Sequence, residues 1–309
     1  MTNILITGGA GNIGASLVSR LVKNPDYYVV VSDNLLTGSV DKLPGLEFTN
    51  WKFIKSDVND YRDISAIMLA HAFDYVFHYG AVVGVQRTLS NPKMVLDDIE
   101  GIKNVLNLSK NTGVKRVFYS SSSEVYGEPV EIPQYEDTTP LNSRLPYAIV
   151  KNVGEAFFRS YQQEFGLDYT IFRFFNTYGP RQSTDFVISK FIECAVTGKD
   201  ITIYGNGLQT RTFCYIDDNL DTIERILQTG VCKNDVINIG SDEEITILDL
   251  AHKIKSVFNS RSEIVHLDPL KEGDMTRRKP DITKMLGILD RPLINLEEGI
   301  RRSYEYRMF

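Results

Sequence analysis

The chain has no run approaching the roughly 20 apolar residues that a membrane helix needs, although 42% of its 309 residues are hydrophobic. Its amino terminus enters a strand-like segment directly, without the pattern of a signal peptide, and a cytoplasmic protein that makes no use of a membrane is expected. Cysteine is scarce. Cys194, Cys214 and Cys232 are widely spaced with no CxxC pair, so no disulfide framework is suggested and buried, reduced thiols are expected. The 4 histidines form no HExxH, and no metal site is expected. A net charge of -6 lacks the basic excess that usually accompanies nucleic-acid binding. An anionic ligand therefore needs local cations.

What is present is alternation. Short β-branched or aromatic runs at 3–7, 28–32, 52–56, 75–78, 116–120 and 169–174 are separated by longer helical patterns, which is how βαβ units and a parallel sheet read. Helices are expected over 92–111 and 146–165, each opened by proline, with Ala148, Ile149, Val153, Ala156 and Phe157 on one stripe of the second. Beyond Phe174 the alternation loosens, leaving a helix near 187–197 and a strand at 236–239. The fold class expected is α/β, a Rossmann-type doubly wound parallel sheet with a smaller carboxy-terminal lobe. Residues 1–174 form the cofactor-binding domain, elements at about 209–240 return to it, and 175–309 are mainly the substrate-binding lobe.

The segment TGGAGNIG follows the first strand and opens a helix, placing glycines at Gly8, Gly11 and Gly14. Such a loop lets backbone approach a pyrophosphate, which then sits on the positive end of the helix dipole. Asn12 and Ile13 lie inside the loop. Asp33 stands 19 residues after Gly14 at the end of the second strand pattern. An acid there accepts hydrogen bonds from an adenosine ribose and repels a 2′-phosphate, which favours NAD over NADP. Asp57 and Val58 close the third strand, where an adenine edge can be held; Asp57 can equally cap a turn. Tyr147 and Lys151 are four apart and face one side of a helix. In YxxxK the lysine charge favours tyrosinate and makes Tyr147 a usable base for a sugar hydroxyl.

Together these segments resemble the extended short-chain dehydrogenase/reductases of the nucleotide-sugar epimerase, dehydratase and decarboxylase group. The resemblance runs through TGGAGNIG, DNLLTGS at 33–39, SSSSEVYG at 120–127, YAIVK at 147–151, RFFNTYGPRQ at 173–182, QTRTFCYIDD at 209–218, NIGS at 238–241 and RRKPDITK at 277–284. It implies that Ser122 shares the reacting hydrogen bond with Tyr147 and that Lys151 also holds the nicotinamide ribose. It further implies that Asn34 and Gly80 line the cofactor, and that Asn176 and Arg211 meet the sugar diphosphate, a task that suits a guanidinium fork. Ser120 and Ser121 are expected to cap or turn the strand end. The sequence departs from the group at His78-Tyr79-Gly80-Ala81, where HLAA is usual, at Asp98, where asparagine is usual, and at Asn12, where an aromatic is usual and the position points away from the phosphates.

All reactions of the group pass through a 4-keto sugar. Ser123-Glu124 together with Arg278, directly before Lys-Pro, resembles the decarboxylases, in which a cation at that place holds a carboxylate or a developing enolate. UDP-glucuronate decarboxylation is the preferred reading, with Arg278 serving both substrate and chemistry. NDP-sugar 4-epimerisation and 4,6-dehydration are the alternatives within the group, and a surface ion pair is the bland reading of Arg277 and Arg278. A silent NAD-binding redox sensor is the alternative of another class; Ser122, Tyr147 and Lys151 together argue against it. The helices around 95–108 and 148–165 carry more apolar surface than one core needs, so a homodimer is expected.

Overall fold

Seven parallel strands in the order β11-β6-β5-β4-β1-β2-β3 form the central sheet of this computed structural model, which describes residues 1–269 and 277–306, side chains of Val85 and Gln86 aside. In chain order the strands are β1 (Thr2–Thr7), β2 (Tyr27–Asp33), β3 (Trp51–Lys55), β4 (Tyr75–His78), β5 (Arg116–Ser122), β6 (Asp168–Phe174), β7 (Thr177–Tyr178), β8 (Ile201–Tyr204), β9 (Thr210–Thr212), β10 (Cys214–Tyr215), β11 (Asp235–Ile239), β12 (Glu244–Thr246) and β13 (Ile264–Leu267). The helices are α1 (Asn12–Leu21), α2 (Tyr61–Ala70), α3 (Val85–Ser90), α4 (Pro92–Thr112), α5 (Pro146–Phe165), α6 (Val187–Thr197), α7 (Ile216–Thr229), α8 (Ile247–Val257), α9 (Thr283–Leu289) and α10 (Leu296–Glu305).

The strands of the main sheet read as nearly unbroken apolar runs because both faces are covered. Successive side chains point to opposite faces: Ile4 and Ile6 enter one apolar cluster with residues of α1 and α7, while Leu5 enters another with residues of α2, α4 and α5. The first cluster also contains Ile188, Leu250 and Ile300 from α6, α8 and α10, so the carboxy-terminal elements share the apolar core of the sheet. The smaller pairs β7–β10, β9–β12 and β8–β13 lie outside the main sheet, whereas β11 pairs with β6 inside it. Proline occupies the first turn of α4 and α5, and Gly113 and Gly166, at φ +78° and +70°, end these helices in the left-handed conformation. Among the described residues no helix is long and apolar enough to cross a membrane.

The sheet reverses its order at β1, which has β2 on one side and β4 on the other. A crevice opens at the carboxyl ends of strands on either side of such a switch, and it is where ligands of open α/β sheets bind. The loop after β1, the end of β2 and the segment after β4 all reach it.

Candidate active site

The loop from β1 into α1 is closed so tightly that only glycine fits at two places. A Cβ on Gly8, at φ +66°, would lie 2.5 Å from the amide nitrogen of Gly80, and one on Gly14 would run into the carbonyl of Gly8 and lie 2.8 Å from Gly9 Cα. Gly11 caps α1 with no side chain, which leaves the amino-terminal turn to an external acceptor. Within that turn Asn12 presents a carbonyl to Ser16 Oγ at 2.7 Å, and its Oδ1 is buried with no partner among the described residues. Ile13 packs on the core. The end of β2 brings in Asp33, 8% exposed, whose carboxylate accepts from Ala10 N at 3.0 Å and Leu35 N at 2.7 Å. A glycine cradle, an uncapped helix start and an acid at the end of β2 fit a dinucleotide.

Asp57 accepts from Asn59 N at 2.9 Å and from Asn34 Nδ2 at 3.2 Å, so it caps the turn after β3 and ties down Asn34. A Cβ on Gly80 would lie 3.3 Å from Val58 Cγ1, which brings these two residues together beside the glycine loop.

β5 delivers the second half of the site. Ser122 ends the strand, and its Oγ accepts from Glu124 N at 3.2 Å, capping the 3-10 turn Ser123–Tyr126. α5 carries Tyr147 and Lys151 one turn apart, and the Ser122 hydroxyl stands near enough to the tyrosine to bear on its phenol. Burial raises the Tyr147 phenol well above its ordinary value and the charge of Glu124 adds to this, while the Ser122 hydrogen bond and the charge of Arg278 act the other way. Lys151 is 3% exposed. Its Nζ donates to the Ser120 carbonyl at 2.6 Å and to Ser120 Oγ at 3.3 Å. Burial pulls its ammonium down to about 8, against the opposing charge of Asp98.

The expectation for Ser120 and Ser121 needs correcting. Neither caps the strand end: Ser120 anchors the lysine, and Ser121 Oγ donates to Glu155 Oε1 at 2.7 Å. That glutamate forms a buried pair with Arg173, Nη2 to Oε2 at 2.7 Å and Nε to Oε1 at 2.9 Å. Burial alone would raise Glu155, but the hydrogen bonds and charge of Arg173 hold it below its ordinary value. Arg173 also donates to Tyr126 at 2.8 Å and to the carbonyl of Glu136 at 3.0 Å. Sequence reading passed over this support of the β5 end, whose only signal was an arginine inside an apolar strand.

Arg278 is 6% exposed, and its Nη2 lies 2.7 Å from Glu124 Oε1. Its Nη1 also approaches Ser123 Oγ at 3.5 Å. Its segment is held by backbone bonds from Gln134 N to the Lys279 carbonyl at 2.8 Å and from Asp281 N to the Gln134 carbonyl at 2.9 Å. Arg277, by contrast, makes the surface ion pair, with Glu244 at 2.6 Å. Asn176 adopts φ +39° and donates to the Thr212 carbonyl at 2.9 Å, while Arg211 is 8% exposed and donates to the Thr210 carbonyl at 2.7 Å. The structure thus brings Ser122, Ser123, Glu124, Tyr147 and Arg278 to one place, and Asn176 stands against β9, the strand that carries Arg211.

The fold and this site define a Rossmann-type dinucleotide-binding protein with a serine, a tyrosine and a lysine gathered where the end of β5 meets α5. The sequence matches the NAD dependent epimerase/dehydratase family over residues 4–240, and the chain belongs to that family. It is 36% identical to UDP-glucuronic acid decarboxylase 5 of Arabidopsis thaliana, over 96% of this chain and 86% of that one. It is 34% identical to a putative UDP-glucose 4-epimerase of Methanocaldococcus jannaschii, over 97% and 96%. The crystal structure of the Thermotoga maritima UDP-glucose 4-epimerase with UDP-glucose superposes with a TM-score of 0.92 at 33% identity, covering 99% of this chain and 98% of that one.

Proposed function

We propose that the protein decarboxylates a UDP-linked uronate, UDP-glucuronate being the substrate of choice, through a 4-keto intermediate. The observation that carries this reading is the buried Arg278 set against Glu124 and Ser123 beside Tyr147. Bound NAD would supply a reversible hydride acceptor for sugar C4. Gly8, Gly11 and Gly14, with the backbone amides of Asn12 and Ile13, would receive its pyrophosphate, Asp33 and Asn34 its adenosine ribose, and Asp57 and Val58 its adenine edge, while Gly80 packs against the glycine loop.

Tyr147 accepts the proton of the 4-hydroxyl as tyrosinate, a form that burial and Glu124 oppose and the charge of Arg278 favours, with Ser122 beside its oxygen and Lys151 supplying further positive charge. The resulting ketone makes the C6 carboxylate a β-keto acid, so the C5–C6 bond breaks and its electron pair moves toward the C4 oxygen. Arg278 holds the carboxylate and then the developing enolate, a charge-stabilising role worth about 3 kcal/mol. C5 takes up a proton from a water molecule held by Ser123 and Glu124, and Tyr147 returns its proton to the C4 oxygen. Asn176 and Arg211 grip the diphosphate. On this reading residues 1–174, with 209–240, bind the cofactor, and the rest of 175–309 shapes the substrate side.

The likeness to the Thermotoga epimerase favours 4-epimerisation as the second reading. Incubation with NAD and UDP-glucuronate separates the two: carbon dioxide and a pentose product support decarboxylation, a galacturonate product without gas makes the protein an epimerase, and turnover of neither overturns the uronate assignment. A cytoplasmic homodimer formed through α4 and α5 is part of the proposal, supported by the exposure of Leu96, Ile149 and Phe165. A monomer in sedimentation would refute that part.

A further inference from the structure

Asn238, on β11, is fully buried, and its side-chain amide is engaged at both ends. Nδ2 donates to the carbonyls of Gln134 at 2.9 Å and Asp281 at 3.1 Å, and Oδ1 accepts from the Tyr126 hydroxyl at 2.8 Å. Carbonyls can only accept, so the amide cannot be turned end for end. The direction of the Tyr126 hydroxyl is fixed as well, because Arg173 Nη1 donates to its oxygen at 2.8 Å. One primary amide thus joins three segments that are distant along the chain.

These segments carry the two sides of the Arg278–Glu124 pair. Tyr126 ends the 3-10 turn Ser123–Tyr126, so the turn that presents Ser123 and Glu124 is tied to Oδ1. Gln134 and Asp281 belong to stretches that run side by side, Gln134 N donating to the Lys279 carbonyl at 2.8 Å and Asp281 N to the Gln134 carbonyl at 2.9 Å. Arg278 directly precedes Lys279, so the stretch that presents the guanidinium is tied to Nδ2. The grip on Gln134 is through its main chain, since its own side-chain amide is buried without a partner among the described residues. β11 adds two further contacts. Asn238 N donates to Glu136 Oε1 at 2.9 Å, and a Cβ on Gly240 would lie 2.8 Å from Pro280 Cγ, so glycine lets the stretch behind Arg278 lie directly against the strand end.

We propose that Asn238 is a positioning residue whose amide sets the spacing of Arg278 against Ser123 and Glu124. A leucine of similar volume would leave two carbonyls and a hydroxyl unanswered in the interior, and an aspartate would turn lone pairs on both carbonyls. The chemistry of the amide, and not its bulk, is what the three segments require. That this spacing governs the loss of carbon dioxide rests on the proposed role of Arg278. The positioning itself does not.

The test is modification of arginine in the purified full-length chain with phenylglyoxal, read residue by residue by mass spectrometry, in the native protein and in Asn238→Ala. Arg116 is the reference, buried at the far end of β5, where it donates to the carbonyls of Gly230 and Val231. Loss of the two bonds from Nδ2 is expected to raise the rate at Arg278 about tenfold, with Arg116 unmoved. Tyr126→Phe, which cuts the link from the amide to the turn, is expected to raise it about threefold and carries the test if Asn238→Ala does not fold. An unmoved rate at Arg278, or a rise shared by Arg116, overturns the proposal. Carbon dioxide release from UDP-glucuronate on the same samples separates the two claims. Asn238→Ala should lower kcat about tenfold in the native background and no further in Arg278→Met, and an equal loss in both backgrounds overturns the proposal. Faster labelling of Arg278 with native gas release retains the positioning and removes Arg278 from the reaction.

Discussion

Replacing Arg278 with methionine removes a guanidinium that is 6% exposed while keeping much of its apolar bulk. Its Nη2 stands 2.7 Å from Glu124 Oε1, and charge centres about 4 Å apart at an effective dielectric near 20 attract by roughly 4 kcal/mol. The variant leaves the carboxylate of Glu124 uncompensated beside Tyr147, whose phenol it already pushes upward. It also removes the donor for the developing enolate, worth about 3 kcal/mol, or roughly a hundredfold in rate. Arg278→Met is therefore expected to lower kcat for carbon dioxide release from UDP-glucuronate by about a hundredfold or more. The Glu124→Gln/Arg278→Met double variant repairs the charge balance at Tyr147 without restoring the donor, so oxidation of C4 should recover while decarboxylation stays slow. Carboxyl-labelled substrate reports the second step, and the absorbance of reduced nicotinamide reports the first. Native rates of gas release from Arg278→Met would refute the assignment of Arg278, and full recovery in the double variant would reduce it to a neutraliser of Glu124.

Tyr147→Phe should leave NAD affinity nearly intact in equilibrium dialysis and cut turnover by about 10²–10⁴-fold; unchanged turnover would sink the tyrosinate mechanism. The contribution of the Lys151 cation to turnover should fall as pH rises through about 8, because burial draws its ammonium down to about that value; that contribution is full below this pH and lost above it, and Lys151→Arg, which cannot deprotonate, should remove this alkaline limb. Arg173→Met strands Glu155, which is 0% exposed, and should cost about 3–5 kcal/mol in urea unfolding. Adding Glu155→Gln should return much of that stability, and a single variant as stable as the native chain would show that the pair is not coupled as its geometry implies.

Periodicity and local spacing were enough to read β1 to β6, α4 and α5, because a strand covered on both faces must be apolar throughout and a helix must repeat its stripe every turn. The glycine loop was legible for a related reason: close backbone approach excludes side chains, as Gly8 and Gly14 show. Tyr147 and Lys151 were legible because one helix sets their separation. The two- and three-residue strands β7, β9, β10 and β12 were not, since so short a run has no period to detect.

Tertiary structure alone decided which distant groups meet. Arg278 reaches Ser123 across 155 positions because the segment 279–281 lies along Gln134, and Ser121 meets Glu155 and Arg173 because β5 lies beside β6 under α5. The same packing sets Asp98 against Asn59 and Val82. Side-chain type and spacing along the chain record what each element needs for itself. The charge each buried group keeps depends on partners brought in by strand order and helix packing, and those partners carry no mark in the local sequence.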